Sequence, residues 1–301
     1  MDVLPLFSQY TLDIVCKLCF NYNLNSIENP KNNLSQLITE GFSTIDNNDT
    51  WAVIIPYYYQ LPLPSNLKRR KIINLMNLVI RDFIKEKGNG QFNNDVLQVL
   101  MSNNNSYEEI RDHIMTFLLA GNETTSTSLA WLTYLLANNP IEQEHLYKAL
   151  LKIDVDDINA LNECKMLNNV IYESMRLKPA VENSARLTTQ PIVYKDKVIP
   201  SNTFIMINIS GLNMNCENSS DFIPDRWNKE IGQYSYIPFY VGFRSCIGKQ
   251  LALLELRVMV SVLFKHYKVI KTDATSKTSA EFHITQKPHP GVIVKFEKRL
   301  K

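Results

Sequence analysis

The chain has 301 residues, 45% of them hydrophobic and 21% charged, a composition suited to a folded globular protein. A net charge of +2 gives no reason to expect nucleic acid or an acidic surface as partner. Cys16, Cys19, Cys164, Cys216 and Cys246 do not suggest a disulfide scaffold, so a reducing compartment is the default. The sequence shows no signal peptide, and no stretch reaches the roughly 18 apolar residues of a membrane span.

Residues 1–85 read as helices separated by Asn/Pro loops. Thr11–Tyr22 puts Leu12, Val15, Cys16 and Cys19 on one helical side. Cys16-x-x-Cys19 has the spacing of half a zinc or redox site. No second pair accompanies it, and its apolar setting favours a core role. Gln36–Ser43 is a second helix, Pro56–Pro64 a Pro/Tyr-rich break, and Ser65–Glu86 a third helix with a basic start at Lys68–Lys71. Asp95–Met101 is short and apolar.

Ser106–Asn138 contains no proline and opens with a capping box, Ser106 and Glu109. At ~1.5 Å per residue such a helix approaches 50 Å. Its ends are apolar, but its middle, Gly121–Ser128, is polar and carries a glycine that costs ~1 kcal/mol. Two expectations follow. Either a polar loop joins two helices, or the helix opens locally at Gly121 so that Glu123 and Thr124 face a bound group and relay protons.

Pro140–Leu151 reads as a helix with proline in its first turn. Val155–Asn159 is an acidic loop. Ala160–Leu177 is a helix ending before Pro179, with Glu173 and Arg176 spaced to pair on one face. From Arg186 the sequence turns to two or three short alternating strands, and the tail beyond His266 reads as further strands with a Pro-bounded turn. No linker marks a second domain, so residues 1–301 are taken as one.

Phe239–Gln250 reads FYVGFRSCIGKQ, followed by an apolar helical run. Cys246 thus lies on a Gly-punctuated loop at a helix start, where the partial positive charge and free N–H groups favour thiolate. Gly242 and Gly248 permit close backbone approach or positive φ. Arg244 can pair with an anion near the sulfur. Three readings compete: an inert buried cysteine, a nucleophile needing a nearby His, and a thiolate that binds iron.

Four patterns occur in one order: A-G-x-E-T-T at Ala120–Thr125, E-x-x-R at Glu173–Arg176, F-x-P-x-R-W at Phe222–Trp227 and F-x-x-G-x-R-x-C-x-G at Phe239–Gly248. Together they resemble the cytochrome P-450 family of haem-thiolate monooxygenases. The resemblance implies a mainly α fold with small β-sheets, the family's fold lacking its N-terminal part. It implies heme b with Cys246 as axial thiolate, Phe239 shielding the sulfur, and Arg244 and Arg186 pairing with the propionates. Gly242 belongs to the same cofactor-binding loop. Glu123 and Thr124 become the residues that deliver protons on the distal face. Glu173, Arg176 and Arg226 become a buried structural network.

The resemblance further implies O2 and a small apolar substrate. Electrons would come from an NADPH-dependent reductase or other donor, and the location would be the endoplasmic reticulum membrane. Family members have well over a hundred residues before the stretch where this chain begins. Strands near Ile192–Ile209 would then expose edges or lack partners. The alternative to an active monooxygenase is an inactive fragment or truncated paralogue. A thiol hydrolase would need His266 or His283 as base. Asp225 and Met175 replace the family's more common Glu and Leu.

Overall fold

The computed structural model describes residues 1–29, 37, 55–88, 95–232, 234–282 and 284–299. It is mainly helical, with small antiparallel sheets. The expected helix Gln36–Ser43, apart from Leu37, lies outside the described residues, as does His283. The fold divides into two units, Leu4–Ser126 and Met1–Val3 with Thr127–Lys301.

In the unit Leu4–Ser126, α1 is Leu4–Phe20, α2 is Pro64–Gly88, α3 is Val96–Ser102, and α4, Tyr107–Asn138, begins. Helix α1 starts seven residues before the expected Thr11. Pro5 falls in its first turn, where a missing N–H breaks no helical bond. Tyr57 takes a left-handed φ of 58° and leads a 3₁₀ turn at Tyr58–Gln60, which realises the expected break before α2. The Asp95 side chain caps α3 by accepting from Gln98 N at 2.9 Å.

The core of this unit follows from helical spacing. Ile72, Met76, Ile80 and Phe83 of α2 recur every three or four residues, as do Ile110, Ile114 and Leu118 of α4. They join Leu12, Val15, Cys16 and Cys19 of α1 in one cluster. Each such side chain contributes about 1.5–3 kcal/mol on full burial. Cys16 and Cys19 are core residues, and burial drives the Cys16 thiol pKa far upward. Among the described residues no group of His, Cys, Asp and Glu has the arrangement of a metal site.

Ser106 and Glu109 form the expected capping box at the start of α4. Glu109 Oε2 accepts from Ser106 N at 2.7 Å, and Glu109 N donates to Ser106 Oγ at 3.2 Å. These bonds lower the Glu109 carboxyl pKa. The loop and the local opening expected at the polar centre of α4 are both overturned, because the helix runs unbroken from Tyr107 to Asn138. Two of its hydroxyls turn back to their own helix: Thr124 Oγ1 donates to Ala120 O at 2.8 Å and Ser126 Oγ to Glu123 O at 3.2 Å. Asn122 instead reaches α1, where its Nδ2 donates to Thr11 Oγ1 at 3.2 Å and its carbonyl accepts from the same hydroxyl at 3.1 Å. A Cβ built on Gly121 would lie 2.7 Å from Val15 Cγ2. The glycine makes room for α1, not for an opening.

The second unit holds the end of α4, then α5 Pro140–Leu150, α6 Ile158–Glu163, α7 Lys165–Leu177, α8 Ile209–Asn213 and α9 Lys249–His266. The single helix expected over Ala160–Leu177 is two helices. Asp157 caps α6 by accepting from Asn159 N and Ala160 N. Cys164 is extended, and Asn168 Nδ2 donates to the carbonyls of Asn162 and Cys164 at 2.8 and 3.0 Å.

Strands β1 Asn183–Leu187 and β4 Phe204–Asn208 pair antiparallel, with Leu187 opposite Phe204. β2 Ile192–Tyr194 pairs with β3 Lys197–Ile199. The strands expected to expose edges or lack partners therefore pair two by two, and among the described residues each keeps one open edge. They leave an apolar face at Leu187, Phe204 and Met206, 58%, 65% and 62% exposed. β5 Tyr267–Lys271 pairs with β8 Val294–Lys298, and β6 Ser279–Phe282 with β7 Gln286–His289. Buried Gln143 ties α4 and α5 to β5, donating to Leu136 O and Val269 O and accepting from Val269 N at 2.9 Å. Among the described residues no helix is long and apolar enough to cross a membrane.

Gly121→Ala gains ~1 kcal/mol of helix propensity but forces Val15 to move. It should be net destabilising by about 1–2 kcal/mol in urea unfolding. Combined with Val15→Ala, the loss should fall at least ~1 kcal/mol short of the sum of the single losses. Additive losses would show that the two side chains do not share that space.

Candidate functional site

The site is built within the unit Met1–Val3 with Thr127–Lys301, on the loop leading into α9. Tyr240 and Gly242 both take left-handed φ, 60° and 78°. Gly242 meets that need without strain, whereas Tyr240 does not. Gly242–Arg244 forms a 3₁₀ turn closed by Ser245 N donating to Gly242 O at 3.0 Å. The loop is then tied across its base, where Cys246 N donates to Phe239 O at 2.9 Å. Gly248 is the N-cap of α9 with an ordinary φ of −84°. A Cβ there would touch Cys246 Sγ at 3.9 Å, a normal contact. Positive φ is therefore needed at Gly242 and not at Gly248.

Cys246 is exposed, which removes the inert buried reading. It stands among exposed apolar side chains: Val241, Phe243 and Ile247. Arg244 is exposed in the same turn, and Phe239 at the start of the loop is half-buried. Of the two bases the hydrolase reading offers, His283 lies outside the described residues and His266 is distant. His266 closes the far end of α9, about 25 Å along the axis from the helix start.

Arg186 on β1 reaches this loop through Tyr240. Its guanidinium lies 5.9 Å from the Tyr240 ring centroid, while its Nη1 donates to Ser184 Oγ at 2.9 Å and Ala185 O at 2.7 Å. Tyr240 OH donates to Asn183 O at 3.4 Å. Burial raises the Tyr240 phenol pKa; bonding to Ser184 and the charge of Arg186 oppose the rise, and Cys246 adds to it. Tyr240 is a residue that sequence reasoning missed. Its only signal was its place beside Phe239 in the Cys loop.

Behind the loop lies a buried carboxylate. Glu173 on α7 is 0% exposed. Its Oε2 accepts from Arg176 Nε at 2.8 Å and Trp227 Nε1 at 2.9 Å. Its Oε1 accepts from Arg176 Nη2 at 2.9 Å, Ile223 N at 2.9 Å and Arg226 Nε at 3.4 Å. The structure thus brings Glu173, Arg176 and Arg226 together. It adds Trp227, to which the sequence pattern alone assigns no role. Glu123 and Thr124 stand on α4 in the unit Leu4–Ser126, with Glu123 buried.

Within α9, burial pushes the Glu255 carboxyl up to about 8 from an ordinary 4.5. The folded chain keeps this proton where the unfolded chain has released it. Stability must therefore fall as pH rises from about 4.5 toward 8.

Against known proteins, the family model described as Cytochrome P450 matches residues 1–295. The chain is 25% identical to Cytochrome P450 4d2 of Drosophila melanogaster, over 90% of this chain and 62% of that protein. It is 28% identical to Cytochrome P450 4X1 of Homo sapiens, over 99% and 64%. It is also 28% identical to a Dictyostelium discoideum protein described as probable cytochrome P450 525A1, over 99% and 56%. The chain thus spans about three-fifths of the length of these relatives.

Glu255→Gln removes the titrating group of α9. Between pH 5 and pH 8 the wild-type urea midpoint should decline relative to that of the variant. Parallel pH profiles would show that Glu255 ionises alike in the folded and unfolded chains.

Proposed function

The chain belongs to the cytochrome P450 family, and on that premise we propose that it acts as a haem-dependent monooxygenase with Cys246 as the thiolate ligand. The observation that carries this reading is the loop itself. An exposed cysteine shares a short loop with exposed Val241, Phe243 and Ile247, and a Cβ built on Gly242 in that loop would meet open space. A soft sulfur donor on a loop that exposes apolar side chains suits a flat, largely apolar metal complex better than a hydrated ion.

Each residue then has a distinct task. Cys246 would supply the sulfur ligand, and the bond from its N–H to Phe239 O fixes its backbone. Arg244 and Arg186 are the cations for the anionic edge of heme b, and Tyr240 keeps Arg186 beside the loop. Glu123 and Thr124 are the residues proposed to hold and pass protons. When bound, the haem would activate O2 and insert one oxygen atom into substrate. Glu173, Arg176 and Arg226 act structurally, since buried charges are tolerated when paired and fully hydrogen-bonded.

From family membership we also infer a small apolar substrate, electrons from an NADPH-dependent reductase and residence at the endoplasmic reticulum membrane.

The full chain supplied with haem should give a strongly red-shifted Soret band when reduced under carbon monoxide, and Cys246→Ala should abolish it. Thr124→Ala should keep that band and lower turnover by about 10²-fold. Absence of the band from the wild-type chain, or its persistence in Cys246→Ala, would overturn the assignment.

A further inference from the structure

The ring of Trp227 touches two things that the motif alone does not connect. Its Nε1–H donates to Glu173 Oε2 at 2.9 Å. Its indole packs against Tyr236 at 4.4 Å between centroids and against Tyr172 at 5.5 Å. Tyr236 is itself held, donating through its hydroxyl to Tyr172 O at 3.1 Å. Four residues on, Tyr240 N donates to Ile237 O at 3.0 Å, and Cys246 N donates to Phe239 O at 2.9 Å. Contacts therefore run from the buried carboxylate through the indole to Tyr236, and the backbone from Tyr236 to Phe239 carries the path on to the bond that Cys246 N makes.

The lengths of the bonds to Glu173 say which partner dominates. Arg226 Nε reaches Oε1 at 3.4 Å, while its other nitrogens make shorter bonds to Glu217 O at 2.7 Å and Asn218 O at 3.0 Å. Arg226 chiefly holds the stretch that precedes it. The indole bond is shorter, and it shares Oε2 with Arg176. Hydrogen bonds to a charged acceptor are roughly twice as strong as neutral ones. An aromatic ring carrying an N–H both satisfies the carboxylate and presents a broad apolar face to Tyr236.

We infer that Trp227 is a positioning residue that transmits the orientation of Glu173 to the Cys246 loop through the ring of Tyr236. The contact path stands without haem. The spectroscopic consequence rests on the haem reading above.

Amide hydrogen exchange of the full chain, read without added haem, tests the path. In Trp227→Phe, which keeps the stack and removes the donor, protection of the Tyr240 and Cys246 amides should fall about tenfold, while amides of α5 and β5 stay within about twofold of wild type. Tyr236→Leu should give the same loop-specific loss, and the double variant no more than the larger single loss. Asn228→Ala should leave the loop amides unchanged. Asn228 bonds Asn169 at 3.0 Å from the same turn, so it reports mere docking of that turn.

With haem, Trp227→Phe should lose at least half of the red-shifted band at equal haem content. If exchange in the loop only follows global exchange in both single variants, or if the two single losses multiply in the double variant, the path is wrong. If the wild-type chain gives no band, the haem reading falls and the exchange result still decides this one.

Discussion

The carboxylate of Glu173 is the constraint on which its unit most visibly depends. A fully buried negative charge is expensive in a low-dielectric interior, and it is kept only when its lone pairs are filled. Here they are filled by two arms of Arg176, by Arg226, by the indole of Trp227 and by the Ile223 amide. The same guanidiniums then satisfy an irregular stretch of backbone. Arg176 Nη1 donates to Ser219 O at 2.7 Å, its Nη2 to Asp221 O at 3.0 Å, and Arg226 to Glu217 O and Asn218 O. These carbonyls belong to no helix or sheet, and each would cost about 1–3 kcal/mol if buried unsatisfied. One carboxylate thus orients two cations, and the two cations shape a segment without regular structure. Apolar residues of similar volume could fill the space, but they could not impose that geometry.

A second economy of polar groups operates along α4. Serines and threonines at a helix centre are unfavourable because their hydroxyls compete for backbone partners. In α4 that competition is resolved within the helix, by bonds from Thr116, Thr124 and Thr133 to the carbonyl four residues earlier. Asn122 ties this stretch to α1, beside the gap that Gly121 leaves for Val15. The polar centre is thus explained in part by helix packing. The chemistry proposed for the neighbouring Glu123 and Thr124 requires no break in the helix.

What could be read from the sequence, and what could not, follows the range of the forces involved. The capping box at Ser106, the proline at the start of α5 and the apolar stripes of α2 and α4 are local, and each was legible from spacing. The break at Cys164 was not, because it rests on the Asn168 amide reaching back to two carbonyls. The strand partners of β1 and β2 were not, because alternation marks a strand but not its neighbour. At the site, the Cys246 loop and the Glu173–Arg176–Arg226 pattern were visible as residue types at fixed spacing. Tyr240 and Trp227 were visible only as letters inside those patterns. Their roles come from contacts to residues far back along the chain, Tyr240 to Asn183 and Trp227 to Glu173.

The Cys246 loop joins two demands that pull in opposite directions. Its backbone must be fixed, since a ligand atom held loosely orients nothing, yet Phe243 and Ile247 project outward into solvent. Burying two such side chains beneath a flat apolar ligand would be worth about 1.5–3 kcal/mol each. That gain is available only on binding, so it cannot hold the loop beforehand. Rigidity without the ligand must come from behind the loop. The available supports are the Phe239–Cys246 backbone bond, the left-handed turn at Tyr240 and Gly242, and the packing of Tyr236 on Trp227. On the inference drawn for Trp227, the apolar front of the loop is free for recognition because these supports already carry the order.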